Sequence, residues 1–239
     1  MAVAQAAWTA AAVSSTSGTT LGPTATAVLT TGNFGLAYVA FDTLAGLTTP
    51  TITISDSAGG SWTQIGSYVR PTAAGVGLPS LAIFIRTTIG TGTSMTVSAT
   101  LSSAVQYKVM QTQQFSGTSG TYSSLVTSYA AGSSSWGALT TPTSNAVGDM
   151  YITVDGFNDT SPTTPSGWTV ASNQGTTGSN PSMEAVYAYY KAATSIATAT
   201  TGTGRQSANS ANIAQAGFVL YAGTPASTSV ESWGFLSIN

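Results

Sequence analysis

Residues 34–41 read FGLAYVAF. In an extended chain alternate side chains share a face. Leu36 and Tyr38 then lie on one side, and Ala37, Val39 and Phe41 on the other. Neither side is polar, so the stretch is predicted to be a strand covered on both faces. The runs around it have the same character. TITIS (51–55) puts Ile52 and Ile54 on one side, and SMTVSATL (94–101) does the same with Met95, Val97, Ala99 and Leu101. VQYKVMQTQQF (105–115) is long and rich in strand formers.

The pattern recurs further along. SGTTLGPTATAVLTTGNFGLAYVAFD (17–42) aligns with SSSWGALTTPTSNAVGDMYITVDGFN (133–158), placing Gly32 on Gly148, Leu36 on Ile152, Tyr38 on Val154, Phe41 on Phe157 and Asp42 on Asn158 at a shift of 116. GSWTQIGS (60–67) and PSGWTVASN (165–173) place Trp62 on Trp168 at a shift of 106. LAIFIRTT (81–88) matches VYAYYKAA (186–193), with Arg86 opposite Lys191, and FSGT (115–118) matches YAGT (221–224). Landmarks that recur in one order with loop-sized gaps mark a duplicated unit. Trp62 and Trp168, kept at one place in both copies, are expected in the core.

MEAVYAYYKAATSIATA (183–199) has enough alanine for a helix. Its β-branched and aromatic counterpart decides for strand. Turn clusters such as SDSAGG, RPTAAGVGLP and NDTSPTTPSG separate the runs. About eight strands are expected per copy, including weaker ones near 6–13, 24–30, 122–129 and 139–145. The predicted fold is therefore all-β: two tandem antiparallel β-sandwiches of jelly-roll type, with an immunoglobulin-like sandwich as the alternative. The boundaries fall at 1–118 for the first domain and 119–224 for the second. The linker GTSGTYSS is short, so the domains should touch. Residues 225–239 have no equivalent after the first copy. Trp233, Phe235, Leu236 and Ile238 would each gain about 1.5–3 kcal/mol on burial, so this segment is expected to dock, on a neighbouring chain or on its own domain.

Composition narrows function. Charged residues make up 5% of the chain, with five basic and seven acidic residues and a net charge of −2. The few cations are scattered, which argues against a nucleic-acid partner. There is no Cys and no His, so thiol catalysis, histidine triads and ordinary zinc sites are ruled out. No apolar run approaches a membrane span. The start, MAVAQAAWTAAAVSSTSG, lacks a basic n-region and is a poor signal peptide; a soluble chain made without a classical export signal is expected. A surface with so little charge lacks self-repulsion and suits permanent packing against neighbours.

Few residues could carry chemistry. Asp155, Asp159 and Glu184 form the best acidic cluster, but a retaining glycosidase needs two carboxyl groups about 5–5.5 Å apart in a cleft, and solvated loop acids are the simpler reading. DGFND lacks the acidic spacing of calcium loops, and NDT at 158–160 fits a glycosylation pattern common in any Ser/Thr-rich chain. No cofactor or metal site is predicted. Tyr187, Tyr189 and Tyr190 on one strand could stack against a host-surface glycan. Arg86 and Lys191, near strand ends, read as charges that discourage edge-to-edge pairing. Arg205 is a candidate for a contact between subunits.

The order G(N/D), apolar strand, (S/G)WT, aromatic strand with Arg or Lys, then (F/Y)(S/A)GT resembles the tandem jelly-roll domains of virion proteins of tailed bacteriophages, of minor tail, fibre and head-decoration type. The resemblance spans about residues 1–224. It implies a non-enzymatic building block on the virion exterior that contacts other capsid or tail proteins, and no catalytic residues carry over. Symmetric homo-oligomers are expected of such parts. The alternative is a carbohydrate-binding or host-adhesion module.

Overall fold

The computed structural model describes residues 1–24, 27–28, 33–42, 50–71, 78–87, 94–158, 163–176, 184–201 and 205–223. These residues form strands and no helix. The protein is an all-β, antiparallel sandwich built in layers.

The first large sheet has the order β1-β10-β4-β7-β6, from Ala4–Ser14, Lys108–Ser116, Phe34–Asp42, Pro79–Arg86 and Thr63–Gln64. The second has the order β11-β16-β13-β15-β14, from Thr118–Tyr122, Arg205–Ala222, Met150–Phe157, Ala185–Ala192 and Thr169–Gly175, with β12 (Val126–Trp136) also paired to β16. In both, the matched strand of the repeat lies in the middle. β4 is flanked by β10 and β7, and β13 by β16 and β15. The registers repeat as well. Tyr38 pairs with Ile83 and Gln111; its counterpart Val154 pairs with Ala188 and Ala216. Thr63 pairs with Ile85, and Thr169 with Tyr190, so each Trp-Thr step enters its sheet at the same place.

The two large sheets pack face to face and share one core. Leu36, Tyr38 and Ala40 of β4, with Leu81, Ile83 and Ile85 of β7, meet Met150, Ile152 and Val154 of β13 and Ala214, Ala216, Phe218 and Leu220 of β16. Several of the contacts are reciprocal. β10 lies against β15 as β7 lies against β16, β4 lies against β15 as β7 lies against β13, and β4 and β13 meet directly. This is the contact pattern of a two-fold interface, here inside one chain. Toward one end of the seam Gly156 faces Ala40, its own counterpart in the repeat. A Cβ on Gly156 would lie 3.1 Å from the Ala40 Cβ and 3.5 Å from that of Leu81. The halves thus do more than touch: the second face of β4 is covered by the other copy.

The opposite face of β4 is covered within the first half. Ala37, Val39, Phe41, Ala82, Phe84 and Met110 pack against an outer layer. That layer holds a three-stranded sheet β2-β9-β5 (Gly18–Leu21, Val97–Val105, Ile52–Asp56) and a two-stranded one, β3-β8 (Ala27–Val28, Ser94–Met95). The outer layer of the second half departs from expectation. No ladder strand forms at 139–145; Thr140 and Thr200 make an isolated bridge. The amides of Thr141, Ser144 and Thr201 donate to the carbonyls of Ala199, Ala197 and Leu139, but the return bonds end on hydroxyl groups. Thr141 Oγ1 accepts from the Ala199 amide at 3.1 Å, Ser144 Oγ from Ala197 at 3.2 Å and Thr201 Oγ1 from Leu139 at 3.0 Å. Ser and Thr side chains compete with ladder bonds in this way. Tyr151, Trp168, Tyr189 and Val219 pack beneath these segments.

The tight Ala40–Gly156 approach yields a test. Gly156→Leu should overpack the seam and cost about 1–3 kcal/mol, read as a lower urea midpoint. Gly137→Ala, where a Cβ meets nothing within 4 Å, should stay within about 0.5 kcal/mol of the parent.

Candidate functional site

The charged side chains are the scarce chemical resource, and most of them are inside. Asp56 ends β5. Its Oδ1 accepts from the amides of Ala58 (2.9 Å) and Gly60 (3.1 Å), and its Oδ2 from Trp62 Nε1 (2.7 Å) and Arg86 Nη1 (2.5 Å). The exposure of the two ion-paired side chains is 7% for Arg86 and 0% for Asp56. The guanidinium lies so close over Gly60 that a Cβ there would sit 2.0 Å from its central carbon. Arg86 is therefore no edge guard. It is buried on β7, between β4 and β6, and ties the outer layer to the large sheet. Lys191, its sequence counterpart, stays half-exposed.

Asp149 follows Gly148, which adopts a φ of +93° suited to glycine. Its carboxylate accepts from the amides of Asn145 (2.7 Å), Ala146 (3.0 Å) and Ala222 (2.7 Å). The Gly-Asp landmark of the repeat is thus a turn device that holds β16 against the start of β13. Lys108 is fully buried and donates to the carbonyls of Thr16 (2.9 Å) and Val105 (2.8 Å), and burial lowers its pKa. Among the described residues only Arg70 and Lys191 carry a charged side chain at the surface.

Of the three acids that the sequence offers as a cluster, Asp155 and Glu184 are not brought together. Asp155 and Glu184 are each 0% exposed, so neither is a solvated loop acid. They also lie on opposite faces of the sheet. Asp155 pairs with Tyr187 on the outward face, where Gln215 Nε2 donates to it at 3.2 Å. Glu184 continues the inward row of Val186 and Ala188. Asp159 lies outside the described residues.

Glu184 has a different companion. Asp42 ends the inward row of β4, in the other half of the chain, and is 8% exposed. Burial pushes Asp42 up to about 7 and raises Glu184 well above the usual carboxylate range, the nearby Asp42 charge adding to the second shift. Asp42 Oδ1, both Glu184 oxygens and the Tyr129 hydroxyl are buried without a hydrogen-bond partner. Two acids 142 positions apart gave no local signal. Their only trace in the sequence was the alignment of Asp42 with Asn158 at the end of an apolar strand.

The tyrosine row is not a stacking platform. Tyr189 is 0% exposed and packs in the outer core with Tyr151 and Trp168. Tyr187 shares its face but leans on Phe157 with ring centroids 5.2 Å apart, and Tyr190 points to the opposite face, against the seam core. Period-two alternation splits three near-adjacent tyrosines in just this way. Trp168 is buried as expected, while Trp62 is half-buried against the first outer core. An open groove of about 430 Å³ does lie at the rim of the seam. Ile65, Ser67 and Tyr68 from the first half and Tyr122, Leu125 and Thr127 from the second line it. Arg205 opens β16, its backbone paired with Trp136. Its side chain, and Trp233, Phe235, Leu236 and Ile238, lie outside the described residues.

Compared with known proteins, the chain matches no family model, no curated protein and no solved structure.

Removing one partner of the buried ion pair should be costly. Arg86→Met leaves Asp56 uncompensated and should lose about 3–5 kcal/mol in equilibrium unfolding. Lys191→Met, at the matching position of the second half, should change stability by less than about 0.5 kcal/mol.

Proposed function

We propose that this chain is a non-enzymatic structural protein of a tailed-phage virion, decorating the capsid or forming part of the tail through protein–protein contacts. In this reading both halves are jelly-roll sandwiches on the particle exterior, and copies assemble as a homo-oligomer. One observation carries it: among the described residues, most of the charge is placed inside the protein and little is left at its surface. Asp56, Arg86, Lys108, Asp149 and Asp155 are engaged in internal hydrogen bonds. The outside is left to Ser, Thr, Asn and Gln, which desolvate against a neighbour at far lower cost than ions do. Such a surface suits lasting contact with other virion proteins.

The rim groove favours a second reading, host adhesion through a glycan. Tyr68 and Tyr122 offer rings, Ser67 and Thr127 offer hydroxyls, and the volume is in the range of small-ligand sites. It replaces the Tyr187–Tyr190 row as the place to look.

Whole-particle density and a glycan array separate the two. Decoration predicts that density from an intact particle places this chain on the shell or tail with its Ser/Thr-rich faces covered by neighbours, and that the purified protein binds no glycan. A protein found free of particles would refute it. Adhesion predicts array binding that Tyr122→Ala abolishes while the melting temperature falls only modestly.

A further inference from the structure

The seam between the two large sheets is apolar along most of its length and changes character at one end. Beyond the Ala40–Gly156 contact the next inward residues are Asp42 on β4 and Asn158 just past β13, with Glu184 just before β15 alongside. Asn158 is satisfied, its Oδ1 accepting from the Asn212 amide at 2.9 Å. The two acids are not: three of their four oxygens are buried without a donor. Strand alternation puts the described strand cations elsewhere. Arg86 pairs with Gly35, Lys108 with Phe41 and Lys191 with Tyr151, all on outward faces, and Arg70 is exposed. Asp155 is on an outward face too. The other titratable groups facing the seam are tyrosines: Tyr38 on β4, Tyr122 on β11, Tyr129 on β12 and Tyr190 on β15. Among the described residues, an ionised carboxylate there would meet no counter-charge and little solvent.

We propose that this end of the seam is a proton-controlled latch: the two sheets close over Asp42 and Glu184 while these are uncharged, and that end parts when they ionise. The inference stands on the packing of the two sheets and is independent of any virion role. The upward shifts of both groups agree with it. For an acid whose pKa is raised by folding, the stabilisation is complete below the unfolded value, about 4. It is lost as pH rises through the folded value, about 7 for Asp42.

The test is thermal unfolding and amide hydrogen exchange of the full chain at about pH 5 and about pH 8.5, with exchange corrected for its intrinsic pH dependence. The melting temperature should fall by several degrees at the higher pH. Amides of Phe41 and Ala185, beside the acids, should lose protection while those of Leu36 and Ile152 keep theirs. The double variant Asp42→Asn, Glu184→Gln should melt at nearly the same temperature at both pH values. If that variant fails to fold, the exchange pattern of the parent chain still decides. A parent chain with no pH dependence, a protection loss spread evenly along β4, or a drop that persists in the double variant would each overturn the latch. So would a rise in melting temperature with millimolar calcium at the higher pH that the double variant lacks, since the pair would then be a cation site.

Discussion

The constraint on which the structure depends is that β4 is apolar on both faces and β13 on the face that meets it. A strand apolar on both faces must be a middle layer. Leu36 and Tyr38 can be covered only by a second sheet, and that sheet is the other copy. Once the two sheets meet, reciprocal contacts follow: β10 and β7 of one half find β15 and β16 of the other. Inside the seam the Tyr38 hydroxyl donates to Gln113 Oε1 at 2.9 Å, a local pairing between neighbouring strands. A half alone would expose a broad apolar sheet, so the duplication is better understood as one fused assembly than as two beads on a string.

The same constraint governs the charges. With both faces of each large sheet covered, an ionisable residue on these strands is buried by default and must be satisfied or neutral. Arg86 meets Asp56 and Lys108 meets two carbonyls. Asp149 is met by three amides. The N-terminus joins this scheme. Val3 is buried in the seam core and donates to the Gly148 carbonyl at 2.8 Å, and the Met1 ammonium donates to Gly223 at 2.7 Å. The chain start is thereby stitched to the second half.

Much of this was legible in the sequence, because period-two patterns are local. The doubly apolar reading of 34–41 led to the layers, and the Trp-Thr landmarks enter their sheets in one register. LAIFIR and VYAYYK run beside the central strands as aligned, though FSGT and YAGT are one residue out of step: Phe115 pairs with Phe34, but Leu220 rather than Tyr221 pairs with Met150. What stayed hidden was set by distant partners. Nothing near Arg86 announces Asp56, and nothing near Asp42 announces Glu184. The strand expected at 139–145 keeps only half of its ladder bonds, because hydroxyl groups take the others, a preference invisible in a hydrophobic pattern. Tyr189 read as a surface ring because the segment that covers it forms no ladder.

Placing ions inside also decides how the protein meets its medium. Dissolved salt acts by crowding counter-ions around exposed charges, and its reach into a desolvated pair is small. Arg86–Asp56 and Lys108 are out of that reach, and Arg70 and Lys191 alone, among the described side chains, remain within it. The folded core that these buried ions help hold together should therefore feel dilute and briny surroundings much alike.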